Sequence, residues 1–179
     1  MISVLPERWQ SRNLVYRRLL ENEITEMQNL YSGSQYISEW DGSELNASQI
    51  EHWYYTGDLP PGGVKENYCL FAVRLMDSNE LIGIISVYHG YPKNNSAYIA
   101  FLYICKDKQG QGFGKESEIQ LSDELKKLGY KEIRANVAVK NWPAIRFWIN
   151  AGFNGVSGIY GDKVHAANTF ANLELFKIL

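Results

Sequence analysis

Gln109-Gly110-Gln111-Gly112-Phe113-Gly114 is the stretch of this chain whose residue types and spacing most directly suggest chemistry. Alternate glycines let a backbone turn sharply and bring its N–H groups close to a ligand. The stretch leads into a helical pattern, and a helix N-terminus adds free N–H donors and a partial positive charge. Both suit a phosphate or a pyrophosphate. Two common phosphate motifs do not fit. A P-loop needs Gly-Lys followed by Ser or Thr to hold magnesium, whereas Gly114-Lys115 is followed by Glu116. A dinucleotide fingerprint needs G-x-G-x-x-G at the first strand-to-helix turn, whereas Gly110, Gly112 and Gly114 are evenly spaced and come late. Taken alone, the stretch is equally compatible with a plain connection. His52, His89 and His165 are far apart and lack metal-ligand spacing with Cys or another His, so no metal is expected.

The elements that must position this loop can be read from periodicity and turn residues. Val15 to Leu19 reads as a first strand, and Asn22 as the cap of a helix with Ile24, Met27 and Tyr31 on one face, ended by Gly33. An acidic, aromatic loop follows with Tyr36, Glu39, Trp40 and Asp41. Asn46 and Gln49 resemble a capping pair for a second helix carrying Ile50, Trp53 and Tyr54. Pro60-Pro61-Gly62-Gly63 forbids regular structure and marks a surface loop. A meander comes next: Tyr68 to Met76, Leu81 to Val87, and Tyr98 to Ile104, the last apolar on both faces and therefore central. After the glycine loop, Leu121, Leu125 and Leu128 stripe a helix that Gly129 ends. Ile133 to Val139 alternates as a strand, and Asn141 caps a helix with Pro143 in its first turn and Gly152 after its end. Phe153 to Ile159 and Leu173 to Ile178 close the order. The expected fold is α/β (α+β), a mixed sheet of about seven strands flanked by about four helices.

The 179 residues suffice for one compact domain and are short for two, so a single domain over 1–179 is expected. A formal net charge of −2 gives no basic field for phosphate backbones, which argues against a nucleic-acid partner. The aromatic share of 13% suggests a lined groove as well as a filled core. Cys69 and Cys105 both sit in strand-like runs and read as reduced core thiols. Met1 to Arg12 lacks the apolar run of a signal peptide, and no apolar stretch is long enough to span a bilayer. The expectation is a cytoplasmic protein without a membrane partner.

Three blocks in order then resemble the GNAT superfamily of N-acetyltransferases. Gln109, Gly112 and Gly114 match the family's Q/R-x-x-G-x-G/A phosphate loop. Ala97-Tyr98-Ile99-Ala100-Phe101-Leu102-Tyr103-Ile104 is similar to its cofactor-binding strand. The stretch from Asn141 to Phe153 resembles its N-x-x-A-x-x-F-Y-x-x-x-G-F helix. The resemblance implies the GNAT fold and acetyl-CoA as co-substrate. It implies main-chain bonds to the pantetheine arm from Leu102 and Ile104, with Tyr103 between them. It puts the pyrophosphate on the amides of Gln109, Gly110, Gln111, Gly112, Phe113, Gly114 and Lys115. Asn141, Ala144, Phe147 and Trp148 would border the cofactor, although core packing alone would also account for Ala144 and Phe147.

The implied reaction moves an acetyl group to a primary amine by direct attack in a ternary complex. The amine must lose a proton, the tetrahedral oxyanion needs a donor such as the N–H near Leu102, and a thiolate departs. Two positions depart from the family pattern. Tyr98 stands where many members have a Glu base, and a phenol of pKa about 10 is a poor base at neutral pH. Trp148 stands where many have a Tyr acid, although a thiol of pKa about 8.5 leaves tolerably as the anion. Glu39 or Asp41 is the expected helper in binding or deprotonating the amine. His165, which titrates in the right range, and water chains ending at Tyr98 or Tyr103 are the other candidates. A small cationic acceptor, polyamine- or aminoglycoside-like, could sit over Trp40, Trp53 or Tyr54. The alternatives are a protein or peptide amine, and a catalytically weak module that only binds acetyl-CoA. A homodimer is the assembly that the resemblance suggests.

Overall fold

The computed structural model describes residues 2–179. Eight strands form one sheet in the order β1-β2-β3-β4-β5-β6-β8-β7. They are β1 (Arg8–Gln10), β2 (Leu14–Arg18), β3 (Tyr68–Leu75), β4 (Leu81–His89), β5 (Ser96–Ile104), β6 (Glu132–Ala138), β7 (Gly155–Gly161) and β8 (Ala171–Ile178). All neighbours are antiparallel except β5 and β6. Five helices accompany them: α1 (Ile24–Ser32), α2 (Ser38–Asp41), α3 (Gln49–Tyr55), α4 (Phe113–Lys127) and α5 (Trp142–Asn150).

Alternation along β3 explains why the middle of the sheet reads as continuously apolar. Cys69, Phe71 and Val73 face a core shared with Leu121 and Leu125 of α4 and Ile145 and Trp148 of α5. Tyr68, Leu70 and Ala72 face a second core with Met27 of α1 and Ile50 and Trp53 of α3. Helices therefore cover both faces of the central strands, and each face takes every other side chain. Both thiols are free, with Cys69 buried.

Four details differ from the sequence expectation. Strand β1 was not expected, because only Trp9 of its three residues is buried and so short a run shows no alternation. Trp9 stacks on Tyr16 at 5.2 Å and meets Phe71 edge-on at 4.5 Å. Asn22 caps nothing: residues Glu21–Glu23 form a 3-10 turn, and α1 follows from Glu23. The Glu23 carboxylate accepts the Leu20 N–H at 3.1 Å and two guanidinium bonds, from Arg17 at 2.5 Å and Arg74 at 3.0 Å. Asn46 and Gln49 do not form a capping pair either. Asn46 Oδ1 accepts the Ser48 N–H at 2.9 Å, and the Ile50 N–H in the first turn of α3 donates to Gln28 Oε1 at 2.9 Å. That helix is capped from a neighbouring helix, which local sequence does not reveal. Finally, the acidic, aromatic loop contains the short helix α2, closed by Gly42 at φ 72°.

The cap on α5 is as expected. Asn141 Oδ1 accepts the Ala144 N–H at 3.0 Å, with proline in the first turn. Asn141→Ala is expected to destabilise the protein by about 1 kcal/mol, read as a lower midpoint in chemical denaturation.

Candidate active site

The site begins where two strands part. β5 and β6 pair in parallel from Ser96↔Glu132 to Ile99↔Ala135. β5 then continues to Ile104 and β6 to Ala138 with no further pairing between them. An irregularity on the other edge of β5 marks the same point. Val87 pairs with Ile99 and Ser86 with Phe101, so Ala100 is an extra residue on β5. Such a bulge bends its strand and raises local twist, which opens β5 away from β6.

Backbone direction follows from one bond. Cys105 N–H donates to Ile82 O at 2.8 Å, toward β4. Because strand groups alternate edges, Tyr103 and Phe101 also turn toward β4, and Leu102 and Ile104 turn toward the opening. In agreement, Ile104 O accepts Gln109 Nε2 at 2.8 Å from the glycine loop. The Leu102 N–H and C=O and the Ile104 N–H thus line the cleft.

The glycine loop closes one end of that cleft. Lys106–Lys108 form a 3-10 turn, and Gln111 Nε2 donates to Asp107 O at 2.9 Å. Gly110 and Gly112 have φ of 75° and 91°, values that glycine adopts without strain. Open space lies where a Cβ would stand at either position. Gly112 is the N-cap of α4 and no side chain caps that helix, so the first-turn amides are left for a ligand. Gly114 packs closely on α5: a Cβ there would lie 3.3 Å from the Phe147 ring, which would have to give by a few tenths of an ångström. This contact brings the start of α4 against α5, where Phe113, Ala144 and Phe147 are partly buried against the core. Lys115 is exposed and, with Arg12, Asn13, Gly112 and Glu116, lines an adjacent depression of about 400 Å³. Glu116 is fixed by Ser11 Oγ at 2.6 Å, Asn13 N–H at 2.7 Å and Asn13 Nδ2 at 2.9 Å. Burial raises its carboxyl pKa, but these bonds outweigh that and hold it below the usual range.

Trp148 is placed away from the opening. It is 6% exposed, and its ring packs edge-on against Phe147 at 4.9 Å and Phe153 at 4.7 Å. It belongs to the main core cluster, with Ala144 and Phe147 packed against that cluster and less buried. Tyr103 is similarly buried at 3%, with its hydroxyl under Gly33 and its pKa pushed up to about 12, chiefly by burial.

On the other face, aromatic side chains of α1 and α3 pack along β5. Phe101 lies 5.7 Å from Tyr31 and 5.2 Å from Trp53, ring to ring, and Tyr91 lies 5.9 Å from Tyr98. Asp41 lines a cavity of about 40 Å³ with Tyr31, Ser34, Ile37, Leu45 and Phe101. Its Oδ1 accepts the Ser43 N–H at 2.8 Å. Glu39 is exposed and makes no hydrogen bond or ion pair among the described residues. His165 is also exposed, in the 162–170 connection. Of the three titratable candidates, Asp41 shares a cavity with a β5 side chain, Phe101.

A polar cluster absent from the sequence reading surrounds Tyr98. Its hydroxyl donates to Glu174 Oε2 at 3.2 Å. Arg134 Nη1 reaches Glu174 Oε1 at 2.6 Å and Arg134 Nε reaches Glu132 Oε1 at 2.6 Å. Ser96 Oγ donates to Glu132 at 2.9 Å, and Ser157 Oγ donates to Glu174 Oε1. Burial, and then the Glu174 charge, raise the Tyr98 pKa far above its ordinary value, so Tyr98 itself stays neutral. Glu174 is 9% exposed although it sits in the alternating strand Leu173-Glu174-Leu175. Its neighbours Leu173 and Leu175 face the core, so alternation puts Glu174 on the Tyr98 side of the sheet. Its meeting with Tyr98 spans two strand pairings and is invisible locally.

Among the described residues no group of three His, Cys, Asp or Glu side chains could hold a metal ion, and no helix is long and apolar enough to cross a membrane.

Comparison with known proteins gives one family. Residues 24–153 match the acetyltransferase (GNAT) family model. A search of curated protein sequences gave no match. Among solved structures, an acetyltransferase from Thermus thermophilus superposes with TM-score 0.68 at 20% identity, covering 93% of this chain and 97% of that one. The spermidine N-acetyltransferase from Vibrio cholerae, in complex with CoA and spermine, gives TM-score 0.70 at 18% identity, covering 94% and 96%. The ribosomal-protein-S5-alanine acetyltransferase from Vibrio fischeri gives 0.70 at 13%, covering 96% of each chain. At these identities the likeness is one of fold.

Proposed function

We propose that this chain, which belongs to the GNAT acetyltransferase family, transfers the acetyl group of acetyl-CoA to a primary amine of a small cationic acceptor by direct attack in a ternary complex. The observation that carries this reading is the parting of β5 from β6 after Ile99↔Ala135, with free main-chain groups that lead to an uncapped, glycine-lined helix start. The fit to acetyl-CoA is physical. An extended amide-bearing arm needs strand-like partners, which Leu102 and Ile104 supply. A pyrophosphate needs converging N–H groups with no side chains in front of them, which the stretch from Gln109 to Lys115 supplies. Ala144 and Phe147 give the arm an apolar wall, and Asn141 holds their helix in place.

Acetyl-CoA supplies an activated thioester, and the chain supplies the positioning. The Leu102 N–H is directed where the carbonyl oxygen gains charge, so it stabilises the tetrahedral oxyanion. Holding the amine on β5 beside that carbonyl replaces a bimolecular encounter with an oriented one. Trp148 gives no proton to the departing thiolate, which leaves as the anion.

A small cation is favoured over a protein amine by the lining of this face. The partly buried Tyr31 and Phe101 line one small cavity with the Asp41 carboxylate, a combination of ring and charge that suits a cationic group. The relatives of like fold include proteins named for both acceptor classes. The spermine in the Vibrio cholerae complex is an acceptor type that such a lining would suit.

Calorimetric titration with acetyl-CoA tests the cofactor site. The native protein is expected to bind, and Gly110→Asp to bind about tenfold more weakly or worse. Aspartate tolerates the left-handed conformation of Gly110 and sets a negative charge where the pyrophosphate would lie. Absence of binding in the native protein would overturn the reading.

A further inference from the structure

We propose that Glu174 serves the amine as its proton acceptor through the Tyr98 hydroxyl, so that a two-residue relay replaces a single carboxylate on β5. This rests on the acetyl-transfer reading above. Tyr98 lies on the acceptor face, because its neighbours Ala97 and Ile99 point into the core beneath α4 and α5. It is the next-to-last residue of the β5–β6 pairing, at the mouth of the cleft. Its hydroxyl already donates to Glu174 Oε2, which leaves an oxygen lone pair of the phenol free to accept from an ammonium.

Proton bookkeeping then closes without an ionised phenol. The ammonium N–H passes its proton to Tyr98 Oη, directly or through one water. The Tyr98 O–H proton passes in the same motion to Glu174 Oε2. The amine lone pair forms the C–N bond, the C–S bond breaks with its electrons on sulfur, and the second proton on nitrogen passes to solvent water as the tetrahedral intermediate collapses to the amide. Glu174 ends protonated and releases the proton to solvent beside Ser157, which is exposed.

Surrounding charges support this assignment. Arg134 is shared between Glu132 and Glu174, and Lys93 in the turn before β5 acts on Glu132 as well. Glu174 therefore shares that guanidinium with a second carboxylate and presents negative charge beside the Tyr98 hydroxyl. The groups around the relay are Glu132 and Arg134 on β6, Ser157 on β7, Ser96 on β5, and Tyr91 and Lys93 in the turn before it. Sharing with Glu132 weakens the hold of Arg134 on Glu174, compared with an exclusive pair. Tyr98 touches the amine, and Glu174 acts through it as a positioning residue and proton sink.

The test compares native protein with Glu174→Gln, Tyr98→Phe and Glu174→Asp. A panel of spermine, kanamycin, propylamine and an unblocked tripeptide is screened with acetyl-CoA, and the best acceptor is carried forward. If no amine is acetylated, the acetyl-transfer reading fails and the relay with it. With an acceptor in hand, kcat/KM is measured from pH 6.5 to 9.5. The Glu174→Gln and Tyr98→Phe variants are expected to lose about a hundredfold at pH 7. Without the relay only the free amine reacts, so that deficit should shrink about tenfold per pH unit while the amine remains mostly protonated. Glu174→Asp should keep the native profile. Calorimetry should show unchanged acetyl-CoA affinity in all variants. A deficit of equal size at every pH, no deficit, or a parallel loss of acetyl-CoA affinity would each overturn the relay while leaving the acetyl-transfer reading standing.

Discussion

Replacing Leu102 by proline is expected to lower kcat about a hundred- to a thousandfold in a protein that still folds. The substitution removes one N–H and little else. Alternation from the Cys105–Ile82 bond turns that N–H away from β4, and β6 has already separated from β5 at this point. No ladder bond is lost, which is the circumstance in which a strand accepts proline. The preceding Phe101 is already extended, as proline requires of its neighbour. Leu102→Ala serves as the control, because it trims the side chain and keeps the donor. The measurement is single-turnover acetyl transfer with the acceptor identified by the amine screen, alongside thermal melting. A folded Leu102→Pro protein within a few-fold of the native rate would show that the oxyanion is stabilised elsewhere.

The second large effect concerns acid stability. His89 is fully buried at the end of β4. Its Nδ1–H donates to Asn67 O at 2.9 Å, and its Nε2 accepts the Leu5 N–H at 3.2 Å. Protonation would turn that acceptor into a donor facing a donor. Burial is the main cause that lowers its pKa from 6.5 to about 4; the Asn67 carbonyl opposes the shift and Arg18 adds to it. The sign follows from linkage. The unfolded chain takes up the proton below its ordinary pKa, and the folded protein resists until about pH 4. The contribution of neutral His89 is therefore complete above pH 6.5 and is lost as the pH falls toward 4. Its full size is about 3 kcal/mol. Glu23, Glu116 and Glu132 have lowered pKa values and lose their own contributions in more acid solution. His89→Gln isolates the histidine, since glutamine offers one donor and one acceptor without titrating. As the pH falls from 7 to about 4, the native denaturant midpoint should drop relative to that of His89→Gln, by the equivalent of about 3 kcal/mol over that window. Parallel curves would mean that His89 is free to protonate in the folded state.

The two halves of the site were unequally readable in the sequence. The glycine loop, the Asn141 cap and the central strand are local: each is set by residues within a few positions of one another. The positive φ of Gly112 and the Asn141–Ala144 bond follow from residue type and place. The acceptor side depends on contacts distant in sequence. Glu174 meets Tyr98 across 76 residues, and Gln28 caps a helix 22 residues away. Glu39 and Asp41 look alike in sequence, yet Glu39 is exposed and Asp41 lines a cavity with Phe101, because the short α2 turns successive side chains to different sides. The burial of Trp148 was likewise hidden: the motif resemblance implied a place beside the cofactor, and the structure shows its ring packed on Phe153 in the core.

The brief β5–β6 pairing also affects how the sheet holds together. Four register positions join an antiparallel block of five strands to one of three. The seam is therefore short, and its unused rungs are those that an extended ligand could fill from the cleft. A ligand laid along Leu102 and Ile104 would act as a surrogate strand, and each bond it made would splint the two blocks together. Resistance to unfolding would then rise with ligand concentration by mass action, and the protein in a cell would owe part of its persistence to its own substrate.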